Sequence, residues 1–183
     1  MDFSNNIPAG LVDNNSEFFG SSNNIHHLSS GTVEIAQTLY KPFYNLIHQE
    51  ITRNKSISKC LDLLGLDQEE QRVMKYYDCN YSGFDNNPDM IDHYTLGERE
   101  YVPCEFRETC EHEGILCKLP YNLTVKNGRV LKRIALGHLD KEICDELYMS
   151  PSALRYHKDI ISNKTNTNRK PALVRIALQI GLI

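Results

Sequence analysis

After Tyr121 the chain breaks into four short apolar bursts, each with its own start and stop signals. No other feature limits the possible folds as much. Thr124 is placed to N-cap a helix through Leu136, which Gly137 would end. Asp140 opens a shorter one, KEICDELY. Ser150 followed by Pro151 opens a third, PSALRYHKDIISNK, and Asn168 with Pro171 opens a last one running to Gly181. Strand-like alternation is missing from this part, so 121–183 is expected to form a four-helix domain.

The second and third bursts are separated by only a few turn residues, the spacing of a helix-turn-helix. On a helical wheel of the third, Leu154 and Ile161 face inward, with His157 and Ile160 less deeply placed. Ser152, Arg155, Tyr156, Asp159 and Ser162 face out and offer hydrogen-bonding groups of the kind that read base edges. An ordinary amphipathic helix with a solvated face has the same period. Periodicity alone does not exclude it. Residues 121–183 carry 11 Lys+Arg against 5 Asp+Glu, whereas the rest of the chain carries 9 against 19. A basic half inside an acidic protein points to a polyanionic partner for that half.

The stretch GHLDKEICDELYMSPSALRYHKDII resembles the LuxR/NarL (GerE-type) DNA-binding domain. The likeness runs through Gly137, Asp140, Lys141, Glu142, Ile143, Met149, Ser150, Pro151, Leu154, Arg155 and His157. Leu123-Thr124 and Val130-Leu131 resemble the family's opening helix, and ALVRIALQIGLI its closing one. The resemblance implies that Arg155 and Tyr156 occupy base-contacting positions. It implies that Lys141, Ser150 and Lys164 approach phosphates; Ser152, Lys158 and Asp159 complete the expected DNA-binding set. Cys144 would pack between helices, and His157 would buttress the bundle. Asn127 and Arg129 stand where the family has glutamates, Thr165 where it has a core Leu, and Asp159 where a basic or polar contact residue is common.

The front of the chain is different in kind. Residues 1–31, rich in Asn, Ser and Gly, show no apolar period and are expected to be a disordered tail. Its opening MDFSNNIPAG has neither the basic nor the apolar region of a secretory signal. Over 32–78, Ile35, Leu39, Phe43, Leu46, Ile47 and Ile51 recur at helical spacing, with Pro42 as a kink or break. A second helix is expected over ISKCLDLLGL. A third is expected to open on an Asp67/Glu70 capping box and to continue through Val73, Met74 and Tyr77.

Residues 79–120 are turn-rich and hold Cys79, Cys104, Cys110 and Cys117. A long loop of this kind needs a source of order. Four thiolates around a structural zinc would supply it in a reducing compartment, with His112 able to replace one. A four-thiolate iron–sulfur cluster is the rival, and free thiols in a surface loop the plain alternative. The spacing has no two-residue zinc knuckle, and no acid-base partner marks any of these cysteines as a nucleophile.

The sequence therefore predicts a mainly α protein: a disordered tail (1–31), a helical region (32–78), a cysteine-rich metal module (79–120) and a LuxR-type helix-turn-helix domain (121–183). The expected function is transcription regulation in the cytoplasm, without catalysis or a membrane span. Double-stranded DNA is the expected partner, bound by a homodimer, with RNA polymerase as a further candidate. A sigma-like promoter-recognition factor and a protein-interaction adaptor with a structural metal are the alternatives. A metal-dependent nuclease is disfavoured because all-cysteine sites lack an open coordination position.

Overall fold

Residues 16–36, most of them in the expected disordered tail, fold as sheet, and this is the main correction to the expected architecture. The computed structural model describes residues 7–106, 109–180 and 182–183. Among them are seven α-helices and a five-stranded antiparallel sheet, so the protein is mixed α/β rather than mainly α. Two compact units divide it. One comprises residues 1–102 with 115–118, and the other 103–114 with 119–183. The expected 79–120 module thus does not stand apart; its residues are shared between the two.

In the first unit β1 (Ser16–Phe19), β2 (Ile25–Ser29) and β3 (Thr32–Ala36) form a meander. The short β4 (Met90–Ile91) and β5 (Thr95–Leu96) extend it in the order β3-β2-β1-β4-β5. The β2–β3 turn has two central residues, Ser30 and Gly31, both at positive φ (50° and 75°), the geometry that matches the twist of a tight hairpin. Residues 1–6 of the expected tail lie outside the described residues, but 16–29 form β1 and β2. Their order comes from distant partners. The Phe18 ring stacks on Phe43 with centroids 4.1 Å apart, and Tyr77 donates a hydrogen bond to the Gly20 carbonyl at 2.8 Å. A local reading of an Asn- and Ser-rich stretch contains neither contact.

Val33 and Ile35 likewise belong to β3, not to the helix that follows. Helix α1 (Lys41–Arg53) starts six residues after Ile35, with Pro42 in its first turn, where a missing N–H costs nothing. Helix α2 (Lys55–Leu63) is capped by Asn54, whose side chain accepts from Ser56 and Ile57 N–H. Helix α3 (Glu69–Asn80) begins after Gln68 without a side-chain cap, so the expected Asp67/Glu70 capping box is not made. Phe43, Ile47, Ile57, Leu61, Val73 and Tyr76 fill the core against Phe18 and Ile25. Cys60 is buried in it, as its apolar helical neighbours imply.

Order in 79–102 comes from side chains other than thiolates. Glu17 accepts from Asp85 N–H at 2.8 Å, Asp89 from Phe18 N–H at 2.7 Å, and Glu100 from Gly83 N–H at 3.1 Å. The Asn80 amide donates to the carbonyls of Tyr76 and Leu116, both at 2.9 Å, which pins segment 115–118 to the same unit. Burial pushes the Glu17 carboxyl up to about 8 and Glu100 to about 7, each raised further by neighbouring carboxylates. Asp89 is raised for the same reasons.

In the second unit a 3-10 turn (Pro120–Asn122) leads into α4 (Val125–Leu136), followed by α5 (Asp140–Glu146), α6 (Pro151–Thr165) and α7 (Lys170–Gln179). Leu123, Val130, Leu131, Ile143, Leu154, Ile161, Leu173 and Ile176 form its core. Two expected caps move. Asp140 is the first residue of α5, which Leu139 precedes, and α7 follows Arg169 rather than Asn168. Gly181, the expected end of the last helix, lies outside the described residues. No helix among the described residues is long and apolar enough to cross a membrane.

Candidate nucleic-acid interface

The placement of α6 follows from its neighbours. Thr124 caps α4 with a reciprocal box: its Oγ1 accepts from Asn127 N–H at 3.2 Å, and Asn127 Oδ1 accepts from Thr124 N–H at 3.1 Å. Helix α4 ends on left-handed Gly137, where Gly137 N–H and His138 N–H reach back to Ile134 and Arg133 carbonyls. Glu142 then accepts from Leu139 N–H at 2.6 Å at the start of α5. After α5 the chain reverses through Leu147–Ser150, with Tyr148 at φ 48° and Met149 N–H bonded to the Cys144 carbonyl at 3.0 Å. Ser150 Oγ accepts from Ala153 N–H, and α6 begins at Pro151.

Buried Leu154 and Ile161 and half-buried His157 and Ile160 hold α6 inward, as its apolar spacing predicts. Ser152, Arg155, Tyr156 and Asp159 are exposed, Tyr156 at 63%. Ser162, expected on that outer face, is half-buried. Asn163 is exposed and shares the arc of Ser152, Arg155, Tyr156 and Asp159, since positions four and seven apart return to the same side of a helix. Sequence reasoning missed it, although the helical period was enough to find it. An asparagine offers the paired donor and acceptor that suit an adenine edge.

The basic residues divide into two sets. Lys141 is exposed in the first turn of α5, and Ser150 is exposed at the head of α6. Lys158, by contrast, pairs with Asp140, tying α6 to α5, and the Lys164 ammonium donates to the Asn122 carbonyl. Both are engaged within the unit rather than held out for phosphate. Elsewhere Arg133 and His138 share Glu146 at 3.0 and 2.8 Å. Thr165, in place of an expected core Leu, donates its hydroxyl to the Ile161 carbonyl at 2.7 Å. Cys144 is half-buried against the core.

The four cysteines are not gathered into one site. Cys79 lies at the end of α3 and Cys117 in the 115–118 segment, both in the first unit. Exposed Cys104 and half-buried Cys110 belong to the second. Among the described residues no group of three or more His, Cys, Asp or Glu side chains could hold a metal ion. His112 is buried in the 103–114 segment, and Arg107 and Glu108 within it lie outside the described residues. Spacing along a chain says nothing about which unit each residue joins, and these cysteines join two.

No family model, curated protein or solved structure matches this chain.

Proposed function

We propose that residues 121–183 bind double-stranded DNA as a helix-turn-helix, laying α6 in the major groove, and that the protein is a sequence-specific transcription regulator. One observation carries this reading. α6 is anchored by Leu154 and Ile161 while its opposite arc keeps Ser152, Arg155, Tyr156, Asp159 and Asn163 exposed, in a unit with a cationic excess. α5, held against α6 by the Lys158–Asp140 pair, presents Lys141 beside the same helix pair, where a phosphate can be met. In this role Arg155 bonds a guanine edge, Tyr156 and Asn163 add further contacts, and Asp159 accepts from a cytosine amine while opposing nearby phosphate. The activity is occupancy of a promoter, in a cytoplasmic setting and by a homodimer.

Selection of operators from random duplexes by the purified full-length protein tests the reading, and enrichment of a defined sequence is the expected result. Footprinting with and without RNA polymerase separates a free-standing regulator from a sigma-like factor, which would protect its site only with the polymerase. If no sequence is enriched, an adaptor role for the acidic first unit takes its place.

A further inference from the structure

β3 lies at the open edge of the sheet, and its exposure is unusual for a strand of its composition. Thr32, Val33, Glu34 and Ile35 are all exposed, Ile35 at 71% and Val33 at 55%. The hairpin register fixes where its backbone points. Ser29 and Thr32 flank a two-residue turn and form a hydrogen-bonded pair, so His27–Glu34 and Ile25–Ala36 are bonded too. Leu28–Val33 and His26–Ile35 are the alternating non-bonded pairs. The N–H and C=O groups of Val33 and Ile35 therefore point away from β2, along the free edge. Soluble proteins blunt such edges with lysine, proline, bulges or a covering element. β3 has neither lysine nor proline, and its pairing with β2 runs without a bulge. Beside the turn, tied by the Gly31 N–H bond to the Gly10 carbonyl, Leu11 and Val12 are exposed as well.

We propose that β3 is the seam of a homodimer, two copies pairing edge to edge in antiparallel fashion with the two-fold axis at Ile35. The strand is self-complementary in that register. Ile35 meets Ile35 as a hydrogen-bonded pair, Val33 meets Gln37, and Glu34 meets Ala36, so no like charges stand opposite each other. Moving the axis to Glu34 would instead set Glu34 against Glu34 at the closest side-chain spacing of a sheet, which selects against that register. The choice of a second copy over a foreign strand also rests on the DNA-binding reading, because helix-turn-helix proteins meet two half-sites as dimers. A seam of one short strand per copy is small beside the ~1,000 Å² of a stable interface, so a weak dimer that two half-sites complete is expected.

Sedimentation equilibrium of the full-length protein without DNA, from micromolar to submillimolar concentration, reads the association. Hydrogen exchange at low and high concentration then locates it. Val33 and Ile35 amides should gain protection with concentration, whereas the Glu34 amide, already bonded to β2, should not change. Ile35→Pro removes one outward donor on an edge where the fold does not use it, and should weaken the dimer at least tenfold. Ile35→Lys keeps the backbone and places two ammonium groups at the axis, with the same expected loss. Circular dichroism shows that each variant is folded. A protein that stays monomeric throughout, or a dimer whose Val33 and Ile35 amides exchange freely, overturns the proposal, as does a folded Ile35→Lys dimer of unchanged strength. None of these measurements needs DNA. Failure of operator selection therefore leaves them standing, and a monomer that selects an operator removes the seam alone.

Discussion

Asn127 on α4 and His157 on α6 are joined by a hydrogen bond whose direction is fixed at the Asn127 end. Asn127 Oδ1 is occupied by the Thr124 N–H and hydroxyl, so its amide nitrogen must face the imidazole, and it lies 2.9 Å from His157 Nδ1. That ring nitrogen must accept, which places the proton of a neutral His157 on Nε2. The pair links the N-cap region of α4 to α6 through a buried asparagine. His157→Ala leaves the Asn127 amide without its partner and should cost about 1–3 kcal/mol in denaturant unfolding. His157→Gln, which can still present an acceptor, should restore part of it. A loss no larger than that of an exposed substitution would show the bond to be incidental.

The two units should respond to pH in opposite directions. Burial, with Lys126 nearby, holds the His157 imidazole below its ordinary value. Its contribution is therefore present above the unfolded-state value near 6.5 and is lost as pH falls through the lower folded value. Glu17, raised to about 8, and Glu100, raised to about 7, behave in the opposite sense. Their contribution is complete below the unfolded-state value of about 4.3 and is lost as pH rises through 7 and 8. The first unit should melt at lower temperature at pH 8.5 than at pH 5.5. Glu17→Gln keeps an acceptor for Asp85 N–H and should flatten that trend. Melting curves followed by tyrosine absorbance test it, since Tyr76, Tyr77 and Tyr81 are buried in this unit. A trend of the opposite sign in the wild type would overturn the assignment.

On DNA, contacts that specify and contacts that position should separate. Arg155→Ala should cost about 1–3 kcal/mol at the selected operator and relax preference at one base pair. Lys141→Ala should weaken specific and non-specific binding alike and lower the salt slope by about one ion. Lys158→Ala and Lys164→Ala should change the salt slope less than Lys141→Ala, because both ammonium groups already have partners within the protein. Titrations of the four variants at several salt concentrations distinguish these outcomes; identical behaviour of Arg155→Ala and Lys141→Ala would remove the recognition role of α6.

A chelator should leave the first unit folded. Residues 79–102 are fastened by Glu17, Asp89, Glu100 and Asn80 through backbone groups, and the four cysteines are divided between two units. Cys104→Ser, at an exposed position, should shift stability by no more than about 0.5 kcal/mol, as surface changes do. Elemental analysis before and after chelation, with the far-UV spectrum and the visible absorbance, checks the point. Release of stoichiometric zinc together with cooperative unfolding, or a coloured cluster, would restore a metal to this stretch.

The helices after Tyr121 were legible because their signals are local. Thr124, Gly137, Ser150 and Pro151 act within one turn of themselves, and the apolar period of α6 put Leu154 and Ile161 inside and Arg155 and Tyr156 outside. The same local logic assigned Cys60 to a core. It failed where order is supplied from a distance. Phe18 and Ile25 sit in a polar stretch that becomes β1 and β2 only because Phe43, Tyr77 and Asp89 meet it from far along the chain. Ile35 matched a helical spacing, yet the turn at Ser30 and Gly31 commits it to a strand. The cysteines of 79–120 looked like one set in sequence and were divided by the tertiary structure. Periodicity and capping are properties of neighbouring residues, so the sequence alone determined the helical domain and the outward face of α6. Strand pairing, carboxylate anchoring and the grouping of ligands depend on which distant segments meet, and only the folded chain decided those.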